Sequence, residues 1–427
     1  MNPADSSTKG PPLSGLKVLE LGANLAGPFA AQILALMGAE VVKVERPGTG
    51  DDARGWGPPF WRGTSPGFLC VNNNKRSITL DLKDPDDLAW LERYLAGMDV
   101  LIHNMRPGAV EELGLGPEET LARHPRLVYC GLSAYGRHGP RRRHAGYEPI
   151  VQAFAGLFSI NGEEGRPPAR MGTSVLDFGT GMWGAMGVLA GLVQRQRTGR
   201  GCVVDASLYE TALGWLTNLN ASFQATGDLP VRHRTGSPRL VVFQAFDTRN
   251  GEIVVAAGND RLFAKLARAL GHPEWAVDPR FTTNALRARH RDALIPEIEK
   301  LMRTKTREQW AEILDAAGVP AAPIQDLGEV MSHPQTAATG MLQEAPGWDL
   351  PLLGLPLSFD GERPRITRGA PKLGEDDAAI RAEADGHPLA SMLSAVARAV
   401  PAGLAADRKS TRLNSSHGTL SRMPSSA

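Results

Sequence analysis

The residue best placed to do chemistry in this chain is an aspartate. The segment Ser174-Val-Leu-Asp177-Phe-Gly179-Thr-Gly181-Met182 sets one carboxylate after an apolar pair and before two glycines. A stretch rich in small residues follows, with the texture of a helix over 181–197. Asp177 therefore stands at or near a helix N-terminus. Free amide groups and the helix dipole there favour the ionised carboxylate by roughly 0.3–1 kcal/mol, and by up to ~2 kcal/mol when partly buried. Two readings fit. Aspartate is a common N-cap, worth about 1 kcal/mol to a helix. Alternatively, Gly179 and Gly181 leave backbone N–H groups open to a ligand, as an oxyanion site requires. A carboxylate beside such donors can attack an acyl group as a covalent nucleophile.

Other chemistries find little support. The turn Gly22-Ala-Asn-Leu-Ala-Gly27 lacks the close-approach glycines of a dinucleotide fingerprint. There is no phosphate-binding loop of the GxxxxGK[ST] type, and Gly131-Leu-Ser-Ala-Tyr-Gly136 is not a nucleophile elbow. The histidines form no HExxH pattern, so no metal site is expected. Three cysteines, Cys70, Cys130 and Cys202, are too few and too scattered for a disulfide framework. Forty-seven basic residues against 46 acidic ones leave a formal charge of +1. That balance argues against nucleic acid or an anionic membrane as partner. The apolar stretch Met182 to Val193 falls short of the ~20 residues that span a bilayer. The opening residues lack the pattern of a secretory leader, so a cytoplasmic protein is expected. The cluster Arg137, Arg141, Arg142 and Arg143 reads either as a solvated loop or as a phosphate contact.

The elements that must position Asp177 follow from periodicity. Lys17-Val-Leu-Glu-Leu21 is a predicted strand, Gly27-Pro28 opens a helix through Met37, and Glu40-Val-Val-Lys-Val-Glu45 is the next strand. Such a strand–helix–strand unit implies a parallel crossover and an α/β fold. Val100–His103 and Leu127–Gly131 read as further parallel strands, with a helix near Ala109–Leu113 between them. Cys202–Ser207 reads as a strand after the turn Thr198-Gly-Arg-Gly201. Beyond about residue 217 the texture changes. Val241–Phe246 and Glu252–Ala257 form a hairpin-like pair, followed by helices over 261–270, 291–304 and 307–317. With 427 residues, the chain has length for two to four domains.

The chain resembles the class III CoA-transferase family, which includes formyl-CoA transferase, carnitine CoA-transferase and the α-methylacyl-CoA racemases. The resemblance rests on Leu13–Leu21, Leu25-Ala-Gly-Pro28, Gly38–Gly48, Asn73–Ile78, Asn104-Met-Arg-Pro-Gly108, Tyr147-Glu-Pro149, Asp177–Met182, Thr198–Gly201 and Ile366–Pro371, in that order. It implies an α/β fold, with a Rossmann-like large domain, a smaller α+β domain and an interlocked homodimer. The expected layout is a loose arm (1–12), a large CoA-binding α/β domain (13–218), a small α+β domain (219–330) and a return to the large domain (331–385). A tail over 386–427 follows; its last part, 407–427, reads like translated vector sequence. By position, Asp177 matches the family's catalytic aspartate. Asn24, Leu25, Arg46, Leu80, Lys83, Asn104, Met105 and Arg106 match segments lining its CoA cleft. Arg46 and Lys83 suit phosphates, and Leu25 and Leu80 suit the adenine. Tyr147 and Glu148 match the acyl pocket.

Racemase members carry a histidine where this chain has Tyr147. A phenol of pKa ~10 is a poor base at neutral pH, whereas an imidazole near 6.5 is suited to the task. The resemblance therefore points to a CoA-transferase that moves CoA from an acyl-CoA to a free carboxylic acid through an aspartyl anhydride and an aspartyl-CoA thioester. Acyl-CoA α-epimerisation and noncatalytic acyl-CoA binding are the alternatives. No tightly bound cofactor is expected, coenzyme A entering as the substrate thioester.

Overall fold

The computed structural model describes residues 10–237 and 239–386. The start of the expected arm, Pro238 and the tail after residue 386 lie outside these residues.

Two early strands, β1 (Lys17–Leu21) and β2 (Glu40–Glu45), are joined by α1 (Ala26–Leu36), the unit that periodicity predicts. The next strand, β3 (Lys75–Thr79), is absent from the expected set. Its sequence, Lys-Arg-Ser-Ile-Thr, reads as polar because Lys75 and Ser77 point into a buried polar layer rather than to solvent. After α2 (Pro85–Leu95) come β4 (Val100–His103) and β5 (Val128–Ser133). Helices α3 (Glu148–Phe154) and α4 (Val175–Thr198) precede β6 (Val203–Ser207), which runs straight into α5 (Leu208–Trp215). The six strands form one parallel sheet in the order β3-β2-β1-β4-β5-β6. Chain direction across the sheet reverses between β1 and β4. In open parallel sheets the crevice at that point, beyond the C-terminal ends of the strands, is where ligands bind.

α4 begins six residues earlier than expected, at Val175, and lies against α1, β5 and β6. At 24 residues it is long and apolar enough to cross a bilayer, which the apolar stretch Met182–Val193 alone is not. Its small-residue face is covered by the sheet, as in the core helix of a globular fold.

A second hydrophobic cluster gathers Phe246, Ile253, Phe263, Ile298 and Trp310. It is built from the antiparallel β7 (Phe243–Asp247), β8 (Glu252–Ala256) and β9 (Ala321–Pro323) with α6 (Asp260–Ala269), α7 (Arg291–Met302) and α8 (Arg307–Ala316). The chain then forms the hairpin of β10 (Leu342–Ala345) and β11 (Leu350–Leu353) and returns to the first core. Trp348, Ile366 and Ala370 pack into it, and Trp348 Nε1 donates to the Ala370 carbonyl at 2.7 Å. The described residues end in the helix Asp377–Gly386.

Under the N-terminal half of the sheet lies a buried ionic layer. Lys43 Nζ on β2 reaches Glu20 on β1 and Asp51 on the following loop, each at 2.9 Å, and the Gly22 carbonyl at 2.7 Å. Lys75 Nζ on β3 takes the other Glu20 oxygen at 2.7 Å and also donates to Pro28 O and Asn72 Oδ1. Burial alone would neutralise Lys43, but Glu20, Asp51 and Glu45 hold it well above its ordinary pKa. Lys43→Met would leave Glu20 and Asp51 without their shared cation. A loss of about 3–5 kcal/mol is expected, the usual cost of breaking a buried pair from one side. Urea unfolding of the variant checks it, and a loss below ~1 kcal/mol would show that the layer carries little stability.

Candidate active site

The crevice between β1 and β4 is closed at its floor by one amide side chain. Asn104, the residue after β4, accepts from the Ala23 N–H at 2.8 Å and donates to the Ala23 carbonyl at 2.7 Å. This pair fastens the β1–α1 turn to the end of β4. The next residue in that turn, Asn24, has a left-handed backbone (φ 66°) and donates its N–H to Asp51 Oδ1 at 2.9 Å. Asp51 thus links the turn to the ionic layer through Lys43.

Above this floor lies a cleft of about 200 Å³. Asn24 and Ala26 line one side, and Asn104, Met105 and Arg106 line another. Leu132 and Ser133 come from the end of β5, and the segment His144–Glu148 closes it opposite. Asp177 reaches it from α4. Seven residues singled out in the sequence therefore share one space: Asn24, Asn104, Met105, Arg106, Tyr147, Glu148 and Asp177.

Asp177 is the third residue of α4, in the first turn. Its carboxylate has no hydrogen-bond partner among the described residues. Burial, with the nearby Glu148 carboxylate adding to it, raises its pKa to about 7, while Arg170 pulls the other way. Glu148 itself is 4 % exposed and opens α3. Its Oε2 accepts from Arg170 Nη2 at 3.1 Å, and its Oε1 accepts from Gln152 Nε2. The Leu176 amide makes a long 3.5 Å contact to the same Oε1. Glu148 thus has hydrogen-bond partners for both of its oxygens, whereas Asp177 has none among the described residues.

The structure corrects two expectations for the glycines. Gly179 and Gly181 lie inside α4, where backbone N–H groups belong to the helical ladder and are not open to an oxyanion. Their task is close packing. A Cβ on Gly181 would meet the Ala26 carbonyl at 2.8 Å, and one on Gly179 would meet Thr211 and Trp215 at 2.8 Å. In the first turn, the amide of Asp177 is the one with no acceptor among the described residues.

The remaining predicted contacts do not line this cleft. Leu25 caps α1 beside Asn24. Arg46 and Leu80 directly follow β2 and β3, and Lys83 follows three residues later, so all share the strand-end edge of the sheet. Leu80 is 1 % exposed, so its side chain forms core and not an open adenine wall. Arg46 is exposed but engaged with Asp52 and the Gly50 carbonyl. Lys83 is exposed on the loop before α2. In the arginine cluster, Arg137 pairs with Glu118 and Asp205, and Arg141 stacks on Phe154 with its guanidinium carbon 4.1 Å from the ring centre. Arg142 and Arg143 stay exposed. Sequence reading missed Asp51, Gln152 and Arg170, and no local pattern marks them. No group of residues able to hold a metal occurs among the described residues.

A parallel sheet with a switch-point cleft, and a half-buried carboxylate with no hydrogen-bond partner among the described residues at its edge, defines the frame of an α/β enzyme. The model of CoA-transferase family III matches residues 13–377, and the chain belongs to that family. The chain is 38 % identical over 333 residues to the succinyl-CoA:glutarate CoA-transferase of Mus musculus, covering 78 % of this chain and 76 % of the mouse protein. It is 38 % identical over 374 residues to the acetyl-CoA:oxalate CoA-transferase of Acetobacter aceti, covering 87 % of this chain and 95 % of that one. Among solved structures, a CaiB/BaiF family protein from Brucella suis matches with a TM-score of 0.81 and 36 % identity, over 88 % of this chain and all of that one. The protein is a family III CoA-transferase, using CoA thioesters as substrates.

Two outcomes follow from the Asp177 pKa. Glu148→Gln removes the neighbouring charge, so the acid limb of kcat/KM should move from about pH 7 to lower pH. A pH–rate profile with the limb unmoved would refute the coupling. Because folding raises the Asp177 pKa above its ordinary value of 3.8, ionising it costs stability as pH rises from about 4 to 7. Asp177→Asn should therefore raise the melting temperature at pH 8, and that gain should vanish near pH 4.

Proposed function

We propose that this enzyme transfers CoA from an acyl-CoA to a free carboxylic acid with Asp177 as covalent nucleophile. The observation that carries the reading is the Asp177 carboxylate itself: largely buried, without hydrogen-bond partners, and facing a cleft at the sheet's switch point. An oxyanion stripped of water and of donors is a stronger nucleophile than one in bulk solvent. In the first step the ionised carboxylate attacks the thioester carbonyl and the C–S bond breaks. The products are a mixed anhydride and the CoA thiolate. The thiolate then attacks the Asp177 carbonyl, which releases the donor acid as its carboxylate and leaves an aspartyl-CoA thioester. The acceptor carboxylate attacks this thioester and expels CoA thiolate, and the thiolate attacks the acceptor's carbonyl. Acceptor-CoA departs and Asp177 is a carboxylate again. Each step exchanges one acyl bond for another, so no net oxidation or hydrolysis occurs.

Asn24, Met105 and Arg106 border the cleft at the strand ends and are the first candidates to contact CoA, with Arg46 and Lys83 further along the same edge. Tyr147, 66 % exposed at the mouth, and Glu148 flank the acyl position. The relatives named for succinyl-CoA, glutarate and oxalate make short carboxylic acids the first acceptors to test. A homodimer in the cytoplasm fits the exposed apolar side chains on α4 and α5, among them Met182, Trp183, Met186 and Trp215, and the three unpaired cysteines.

Mixing the protein with succinyl-CoA or acetyl-CoA and trapping with hydroxylamine or borohydride should change the mass of the Asp177 peptide. Asp177→Asn should abolish turnover and trapping while CoA binding persists. Full activity in that variant would sink the assignment. Light scattering should give a mass twice that of one chain.

A further inference from the structure

The arginines around Gly139-Pro140 do not share one environment. Arg137 has carboxylate partners in Glu118 and Asp205, and Arg142 and Arg143 are exposed. Arg141 has rings. Its guanidinium carbon lies 4.1 Å from the centre of Phe154 and 5.6 Å from that of Tyr135. No carboxylate or carbonyl engages it among the described residues, so the π faces are what hold it.

The two rings belong to a small aromatic group. Tyr135, 9 % exposed, follows β5 by two residues. Phe154 ends α3, and Tyr209 lies in the first turn of α5. Tyr135 meets Phe154 edge-on at 5.6 Å, and Tyr209 meets them at 6.2 and 5.5 Å. The Tyr209 N–H donates to the Ala134 carbonyl at 3.0 Å, which fixes the group to the end of β5.

The chain from Arg141 to Gly146 winds about Tyr135. The His144 N–H donates to the Arg141 carbonyl at 2.9 Å and closes a turn. The His144 ring stands edge-on to Tyr135 at 6.5 Å. A Cβ on Gly146 would come within 3.1 Å of Tyr135 Cε2 and 2.9 Å of the Ala134 Cβ, so this backbone lies against the ring because it is glycine. The stretch His144–Glu148 is also the one that lines the cleft opposite Asn104. From Glu148 the chain enters α3, which ends at Phe154, the ring beneath Arg141. Arg141 therefore joins the chain that enters this wall to the helix that leaves it. Connecting segments are mobile unless their own contacts hold them, and this contact leaves few residues free.

We propose that Arg141 is a positioning residue: stacked on Phe154 and Tyr135, it holds the His144–Glu148 wall in the conformation that receives the acid. It touches no reacting atom. The inference rests on the CoA-transfer reading above and adds to it the device that sets one wall of the site. The facing wall, Asn24 with Asn104 to Arg106, is fastened by the Asn104–Ala23 pair and does not depend on Arg141.

The test uses the full chain with succinyl-CoA as donor and glutarate as acceptor. Arg141→Met should raise KM for glutarate by about three- to fivefold, the scale of one exposed cation–π contact, with kcat within about twofold. The dissociation constant of free coenzyme A, read by calorimetry, should stay within about twofold. Trypsin under native conditions should cut after Arg142 or Arg143 several times faster than in wild type. Arg141→Lys, which keeps a cation over the rings, should recover part of both effects. Phe154→Leu should act like Arg141→Met, and the double variant should be little worse than either alone, because both remove one contact. Arg142→Gln should change neither KM nor the coenzyme A affinity. Unchanged tryptic rates in Arg141→Met would overturn the proposal. So would additive effects of Arg141→Met and Phe154→Leu. A coenzyme A affinity lost in Arg141→Met and not in Phe154→Leu would also overturn it, and would make Arg141 a direct phosphate contact. If wild type forms no Asp177 adduct and transfers no CoA, the reading beneath fails, and the tryptic rates still decide whether Arg141 holds the wall.

Discussion

The structure depends on one buried ionic layer. Glu20, Lys43, Glu45, Asp51 and Lys75 are all at most 4 % exposed, and Arg54 joins them from the edge. Three anions meet three cations, so the layer is neutral. It spans β1, β2, β3 and the loop after β2. Isolated charges at such depth would cost many kcal/mol, and pairing makes the arrangement tolerable only if every partner is present. The consequence is geometric more than energetic. Apolar faces can slide against one another, whereas Lys43 has to meet Glu20, Asp51 and the Gly22 carbonyl together. That fixes the register of three strands and the path of the β1–α1 turn at once.

The site inherits this rigidity. Asp51 uses Oδ2 for Lys43 and Oδ1 for the amides of Asn24 and Ala53. The left-handed Asn24 is thus held by the layer on one side, and Ala23 is held by Asn104 on the other. The turn that borders the cleft has little freedom left before a substrate arrives. Such preorganisation reduces the entropy lost on binding. Asp177 is positioned by different means. Glycines let α4 approach α1 and α5 at contact distances that any side chain would prevent, and the tethered Glu148 sits against the first turn of the helix. Of the two carboxylates, Asp177 is the one left without hydrogen-bond partners among the described residues.

The C-terminal return explains why the sheet edge at β3 does not lie open. Asp376 and Asp377 accept from the Ser77 and Thr79 amides at 2.9 and 2.7 Å, and Asn74 accepts from the amides of Thr367 and Arg368. Side chains thereby occupy donors that an exposed edge strand would offer to another chain. Trp61 and Trp348, nearly 300 residues apart, are tied by an indole hydrogen bond of 2.7 Å.

The sequence by itself determined the β1–α1–β2 unit, the strands β4 to β6, the hairpin of β7 and β8, and the place of Asp177 at a helix start. All of these are written in local period and in Gly/Pro punctuation, which act over a few residues. The order of family motifs added Asn24, Asn104 and Glu148 to one site. Tertiary structure alone decided the rest. The polar strand β3 is a strand because Lys75 has a buried partner 55 positions away, and period-two patterning cannot register that. Gly179 and Gly181 look like open donors in a linear reading and prove to be packing residues once α1 and α5 lie against them. The raised pKa of Asp177, the tether from Arg170 to Glu148 and the hold of Asp51 on Asn24 all arise from groups far apart in the chain. Burial and pairing are properties of the packed whole, so no short stretch of sequence contains them.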